Sequence, residues 1–298
     1  MRTFRYTVLP EDEGRQLKRV IRSRLMLSHH VFSALKFADA LIVDGRSVHA
    51  NHVVRAGEVI TLTLKDEPGQ GVEPQPGEVD IVYEDEDLLI VNKQAPLACQ
   101  SSSRQAGGSL ENYLAYYYRD QPGFVFRPVN RLDKGTSGLM AVARHAHAQM
   151  LLSAQLHTPR FVRRYLAVLE GAPEPPEGVV EAPIAKAAGA TVRREVSPGG
   201  RYALTRYKTL ERRGALSLVG VELSTGRTHQ IRVHMRHIGC PVAGDFLYGR
   251  EDARLPGRFA LHSAHLELDH PLKDTRLVFD APLDGALRAL LESGRAAE

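Results

Sequence analysis

In GRQLKRVIRSRLML, residues 14–27, the apolar residues Leu17, Val20, Ile21 and Leu25 recur at helical spacing and predict an amphipathic helix. Lys18, Arg19, Arg22 and Arg24 cover much of its remaining surface. A second short helix is predicted over HHVFSALKFADA, with Ser28 as its N-cap and Val31, Leu35 and Phe37 at its apolar positions. The period then shortens. In ALIVDGRSVHANHVVRAGEVITLTL the pair Asp44-Gly45 marks a hairpin, and Ala56-Gly57 a turn before the strand VITLTL.

Residues 66–79, DEPGQGVEPQPGEV, break the pattern with three Pro, three Gly, four acids and no apolar period, and are expected to form a linker. The chain is thereby divided into a small domain (1–65), a linker (66–79) and a large domain (80–298). In the large domain DIVYEDEDLLIVNKQAPL reads as two short strands around an acidic turn, and ENYLAYYYRD as a helix. GLMAVAR and RRYLAVLEG read as strands flanking the helix HAHAQMLLSAQLH, and ALSLVGVELSTGRTHQIRVHMRHIG as strand, turn, helix. Strands and helices alternate without a regular βαβ rhythm, which predicts an α+β fold with a mixed, largely antiparallel sheet and flanking helices.

Hydrophobic residues make up 43% of the 298 and charged ones 25%, which argues against extensive disorder. There is no apolar run long enough to span a bilayer, and the charged first residues do not read as a secretory signal. Cys99 and Cys240 suggest neither a disulfide framework nor a metal knuckle, so a reducing, cytoplasmic setting is expected. The net charge of +4 is uneven: residues 1–65 carry 11 Lys and Arg against 6 Asp and Glu, a net of +5, which leaves −1 for the rest. A basic segment on a nearly neutral body is a handle for a polyanion. Two basic helices followed by a hairpin and a Gly-turned strand resemble the small S-four-like (αL) RNA-binding module over residues 10–65, with His29 and His30 where many members place Ser-Arg.

Three stretches carry candidate chemistry. In RPVNRLDKGTSG, residues 127–138, the acid Asp133 sits between Arg131 and Lys134 ahead of a Gly- and Ser-rich turn. In STGRTHQIRVHMRHIG, residues 224–239, Thr228 is expected to cap a helix that buries Ile231, Met235 and Ile238 and ends at Gly239. Arg232 and Arg236 lie off that apolar face. An arginine in the first helical turn opposes the helix dipole, so Arg232 calls for a fixed carboxylate, and Asp133 is a candidate. In RRYLAVLEG, Tyr165 shares a strand face with Ala167 and Leu169, the pattern of a core residue.

Taken in order, NRLDKGTSGLM, RRYLAVLEG and LSTGRTHQIRVHMRHIGCPVAGDFLYG resemble the three signature segments of the RluA family of RNA pseudouridine synthases, and RFALHSAHLELDHPL its closing strand. This resemblance spans residues 80–283 and implies the pseudouridine synthase fold. It implies Asp133 as the catalytic aspartate, Tyr165 as the tyrosine that stacks on the target base, and Arg232 as the arginine paired with the acid. Arg131 matches a residue that fills the space of an extracted nucleotide, and Gly135 to Gly138 the turn that lets RNA come close. Asn130, Arg164, Arg227 and His229 join Lys18, Arg19 and Arg22 as expected RNA contacts. The partner implied is ribosomal RNA or tRNA, acted on by a monomer without metal, nucleotide or redox cofactor. Such an acid must be ionised, and the planar fork of an arginine both favours and orients that form.

Asn130 stands where many members carry His, Arg164 where they often have Lys, and VNKQAPLACQSSS departs from the usual segment near residues 93–103. Other readings are weaker. His234, His237, Cys240, His262 and His265 suggest zinc, but Gly239 is expected to end the helix before Cys240. A glycoside hydrolase needs two flanking carboxylates, and these motifs supply one. A catalytically inactive RNA-binding or ribosome-assembly factor on the same fold is expected to have lost one of Asp133, Tyr165 and Arg232.

Overall fold

The computed structural model describes residues 2–27, 29–64, 72–101, 107–121 and 124–294. They form two compact units. One comprises the first 71 residues with Gln121–Val125 and His145–His147, and the other holds the remainder.

The first unit contains β1 (Arg2–Thr7), α1 (Leu17–Arg24), α2 (His29–Phe37), β2 (Ile42–Val43), β3 (Arg46–Ser47) and β4 (Val59–Leu64), with sheet order β1-β4-β2-β3. Leu17, Val20 and Ile21 are fully buried on α1, as their spacing predicts. The helix starts later than expected because Gly14 turns left-handed and Gln16 bridges to Val53. Asp44 and Gly45 both take positive φ at the hairpin, and Asp44 Oδ1 accepts the Val59 N–H at 2.8 Å. The expected cap, Ser28, lies outside the described residues. Asp12 is fully buried and receives Tyr6, Arg15 and Arg24. Burial pushes its carboxyl up, but hydrogen bonds from those three partners outweigh it and hold it below the ordinary value.

The second unit is built on a mixed sheet of ten strands among the described residues. In chain order they are β5 (Asp80–Glu84), β6 (Leu88–Lys93), β7 (Arg127–Pro128), β8 (Ser137–Ala143), β9 (Phe161–Glu170), β10 (Glu177–Glu181), then β13, β14, β15 and β16. The short pair β11 (Ile184–Lys186) and β12 (Arg194–Val196) forms its own ribbon. The last four are β13 (Leu204–Arg213), β14 (Leu216–Leu223), β15 (Leu261–Asp269) and β16 (Arg276–Asp280). The main order is β10-β13-β14-β9-β15-β8-β6-β5, antiparallel except where β15 runs parallel to β8. Its helices are α3 (Leu110–Tyr117), α4 (Ala146–Gln155), α5 (Gln230–His237) and α6 (Gly285–Ser293). Every residue of β8 is buried, as in a central strand covered on both faces. Leu139, Ala141 and Ala143 of that strand join Leu88, Ile90, Leu152, Phe161 and Leu266 in one apolar cluster. No described helix is long and apolar enough to cross a membrane.

The expected linker is only partly a spacer. Residues 65–71 lie outside the described ones, but the following stretch docks on α3. Gln75 donates its N–H to the Asn112 carbonyl (3.1 Å) and accepts the Gly108 N–H (2.7 Å), while the Asn112 amide donates to the Glu73 carbonyl (2.9 Å). An extended Pro-rich chain leaves its polar groups unpaired, and here α3 and its N-terminal flank supply partners.

Candidate active site

Asp133 lies in the loop that leads into β8, and that loop is tied down residue by residue. Asn130 Oδ1 accepts the Ala141 N–H at 2.9 Å, and Thr136 N–H donates to the Asp133 carbonyl at 3.0 Å. The buried ammonium of Lys93 donates to the carbonyls of Leu97 (2.7 Å), Gln94 (3.0 Å) and Lys134 (3.4 Å), and Leu97 N–H also reaches Lys134 O (2.9 Å). Burial pushes Lys93 down to about 8.

The glycines of this segment face inward. A β-carbon on Gly135 would stand 2.6 Å from the Phe259 ring, and one on Gly138 would strike the Ser263 backbone nitrogen at 2.7 Å. Gly135 to Gly138 are all buried, and the two glycines allow close packing with Phe259 and β15.

Helix α5 brings Arg232 to the acid. Its Nη1 donates to Asp133 Oδ2 at 3.0 Å, while Nε and Nη2 donate to the two oxygens of Asp245 at 2.7 and 2.9 Å. The guanidinium lies between two aromatic faces, 4.0 Å from the Phe259 centroid and 4.9 Å from that of Tyr248. Burial opposes its charge, but the two carboxylates prevail and raise it above the ordinary arginine value. Arg232 lies off the apolar face of α5 yet is buried against its carboxylates, whereas Arg236 is exposed.

Thr228 does not cap α5. The N-cap is His229, left-handed at φ 58° and without a side-chain cap bond. The Gln230 amide instead ties down the turn before the helix: its Oε1 accepts the Arg227 N–H and the Thr225 hydroxyl, both at 2.9 Å. The strained backbone at His229 aims its imidazole inward, with Nδ1 2.8 Å from Tyr248 Oη and Nε2 4.0 Å from Asp133 Oδ2. Burial lowers the His229 pKa below its usual value.

Asp133, Tyr165 and Arg232 all line one cleft of about 890 Å³. Arg131 stands exposed at it, and Arg227 is half-buried with Nε on the Tyr202 carbonyl at 2.8 Å. Tyr165 projects from β9 and is buried, which pushes its phenol pKa up. Asn130 lines the cleft too, but its carbonyl is committed to the β8 backbone. Arg164 is not brought to the cleft. Strand alternation puts it on the face opposite Tyr165, where it pairs with Glu222 (3.0 Å) and Glu267 (3.5 Å). Lys18, Arg19 and Arg22 belong to the first unit, half-buried, exposed and exposed. Both ring nitrogens of His234 are engaged, with Thr205 Oγ1 (2.8 Å) and the Ala182 carbonyl (2.9 Å), which leaves none for a metal.

The family described as RNA pseudouridylate synthase matches residues 87–237, about half of the chain. The chain is also 35% identical over 283 residues to the uncharacterized RNA pseudouridine synthase YhcT of Bacillus subtilis, covering 94% of this chain and 93% of the relative. This protein is an RNA pseudouridine synthase. Ribosomal large subunit pseudouridine synthase D of Pseudomonas aeruginosa is 36% identical over 262 residues, covering 82% of the synthase and 80% of the relative. The solved structure of human RNA pseudouridylate synthase domain containing 1 superposes with a TM-score of 0.57 at 28% identity, covering 77% of the synthase and 98% of the human chain.

Asp245 was not singled out by sequence reasoning, although a signal exists. It is a lone acid in PVAGDFLYG, flanked by apolar residues, and an acid so placed demands a buried cation. Tyr248 and Phe259, which sandwich the synthase's Arg232, carry no comparable mark.

Proposed function

We propose that the protein isomerises specific uridines of structured ribosomal RNA to pseudouridine, with Asp133 as its essential carboxylate. The observation that carries this reading is the 3.0 Å bond from Arg232 to Asp133 in a cleft shared with Tyr165. Uracil cannot turn within a helix, so the target nucleotide is flipped into the cleft, where the Tyr165 ring offers a stacking face. Asp133 then either attacks C1′ or removes the C2′ proton. In both routes the N1–C1′ bond breaks, the base turns, C5 bonds to C1′ as the carboxylate departs or returns the C2′ proton, and the C5 proton is replaced by one on N1. Arg232 is fixed by its two-bonded fork on Asp245, which an ammonium could not form, and its remaining Nη1 is thereby aimed at Asp133. Asp133 Oδ1 makes no hydrogen bond among the described residues, and the side chain is about a quarter exposed (26%), consistent with a group held open for substrate. Relatives such as synthase D of P. aeruginosa, whose name specifies the large ribosomal subunit, support ribosomal RNA as the substrate. The first unit, with its net charge of +5 over residues 1–65, supports a second contact to RNA phosphates.

The test uses purified wild type and Asp133→Asn on total RNA from a strain lacking the enzyme, with pseudouridine mapped by sequencing. Wild type should restore a site in ribosomal RNA, and the Asn variant should leave it unmodified. Equal restoration by both removes Asp133 from the chemistry, and a site restored only in tRNA reassigns the substrate.

A further inference from the structure

Arg163 lies two residues before Tyr165 on the same face of β9 and lines the same cleft. It is only 5% exposed, yet no carboxylate of the described residues pairs with it. Nη2 donates to the Leu156 carbonyl at 3.2 Å, and Nε makes no hydrogen bond among the described residues. A β-carbon at Gly226 would stand 3.3 Å from Nη1, so the glycine of the STG turn leaves room for that end of the fork. An arginine remains protonated under all physiological conditions, and a buried charge without a counter-charge is costly. Arg232, by contrast, has two carboxylates.

From this placement, and resting on the proposed reading of the cleft, we infer that the Arg163 guanidinium binds a carbonyl oxygen of the target uracil and stabilises the charge of the departing base. When the N1–C1′ bond breaks, its electron pair passes to the uracil and is shared by N1, O2 and O4. C1′ is compensated by a new bond to the Asp133 carboxylate or by loss of the C2′ proton to it. The charge leaves the base when C5 bonds to C1′, as the C1′–Asp133 bond breaks or Asp133 returns the C2′ proton, and the C5 proton then passes through solvent to N1. A fixed donor aimed where charge develops is worth far more to the rate than to binding. A backbone phosphate is the other anion RNA offers. Exposed Arg131 and half-buried Arg227 are placed to meet phosphates, whereas the buried Arg163 sits beside Tyr165, where the flipped base stacks.

The experiment compares full-length wild type, Arg163→Gln and Arg163→Lys in single-turnover reactions at saturating RNA. The RNA is a transcript bearing the site mapped in the Asp133 experiment, made with uridine or with 5-fluorouridine, whose more acidic base departs as a more stable anion. Wild-type turnover of the uridine transcript confirms the underlying reading independently. Arg163→Gln should slow the uridine reaction by roughly 10²-fold, the loss typical of a removed oxyanion donor. The gap should narrow at least about tenfold with fluorouridine, and Lys should recover part of the rate. Removing an unpaired buried charge should leave the melting temperature unchanged or raised. A rate within about threefold of wild type overturns the inference. So does an undiminished gap with fluorouridine accompanied by weaker binding and a salt slope lower by about one, which marks a phosphate contact. A drop in melting temperature that Lys restores together with the rate would make Arg163 structural and also overturns it.

Discussion

Arg232 shares one positive charge between two carboxylates of different exposure. Asp245 is fully buried and also accepts the N–H groups of Leu247 (3.0 Å) and Tyr248 (3.1 Å), so it is a fixed anchor. Asp133 faces the cleft. The helix-dipole conflict was enough to call for a carboxylate partner of Arg232, and Asp133 proved to be in place. It could not reveal that one guanidinium serves two acids, because Asp245 approaches from a turn beyond the helix. Asp245→Asn keeps the shape but removes the charge and one acceptor. Breaking a buried pair from one side costs about 3 to 5 kcal/mol, so the variant should lose stability on that scale in urea unfolding. Its single-turnover rate should also fall, by roughly tenfold or more, because a less constrained Arg232 orients Asp133 poorly. A variant as stable and as fast as wild type would show that Asp245 does not hold the arginine.

At the scale of elements, strands and helices were legible where one face is apolar. The expected strands over VITLTL, GLMAVAR, RRYLAVLEG and ALSLVGVEL correspond to β4, β8, β9 and β14. The parallel pairing of β15 with β8 was not legible, because it joins residues 125 positions apart, His262 and Ser137. Nor were the inward-facing glycines, whose need is set by Phe259 and Ser263 on that distant segment. Interior histidines tie elements together in the same way. His234 fastens α5 to Thr205 of β13 and to the Ala182 carbonyl. Gln230 donates to the same threonine oxygen at 3.0 Å, so the partners assign a neutral imidazole with its proton on Nε2. His262 links β15 to Ser137 of β8. Burial lowers the pKa of His229, His234 and His262 from 6.5. Below pH 6.5 the unfolded chain takes up these protons before the folded one does, so stability should fall as pH drops through that window and rise again with pH. Each histidine contributes a slope of up to about 1.4 kcal/mol per pH unit. Urea titrations at pH 7.5, 6 and 5 check this, and a stability constant across that range would contradict it. His234→Gln should flatten the slope.

For the whole molecule, uneven charge pointed to a polyanion before any site was known, and the first unit shows which cations remain for it. Arg15 and Arg24 are spent on Asp12 and Glu11, an internal cluster that shapes the turn before α1. Lys18, Arg19 and Arg22 on the helix form no ion pair among the described residues, and Arg22 lies over the Phe32 ring at 5.6 Å. Pattern alone could not separate these two groups, because Arg24 continues the same basic run and only the fold brings Asp12 under it. If the three unpaired cations each meet one RNA phosphate, their contribution is counterion release, and each adds about 0.7 to 0.9 to the slope of log affinity against log salt. Replacing Lys18, Arg19 and Arg22 by Ala should therefore weaken RNA binding and reduce that slope by about 2 to 3. Replacing Arg24 instead should destabilise the unit through buried Asp12 and leave less mark on the slope. Filter binding of a ribosomal RNA transcript across a salt series reads both. A triple variant with an unchanged slope would show that this face of α1 does not meet the RNA backbone, whatever the total charge of the unit.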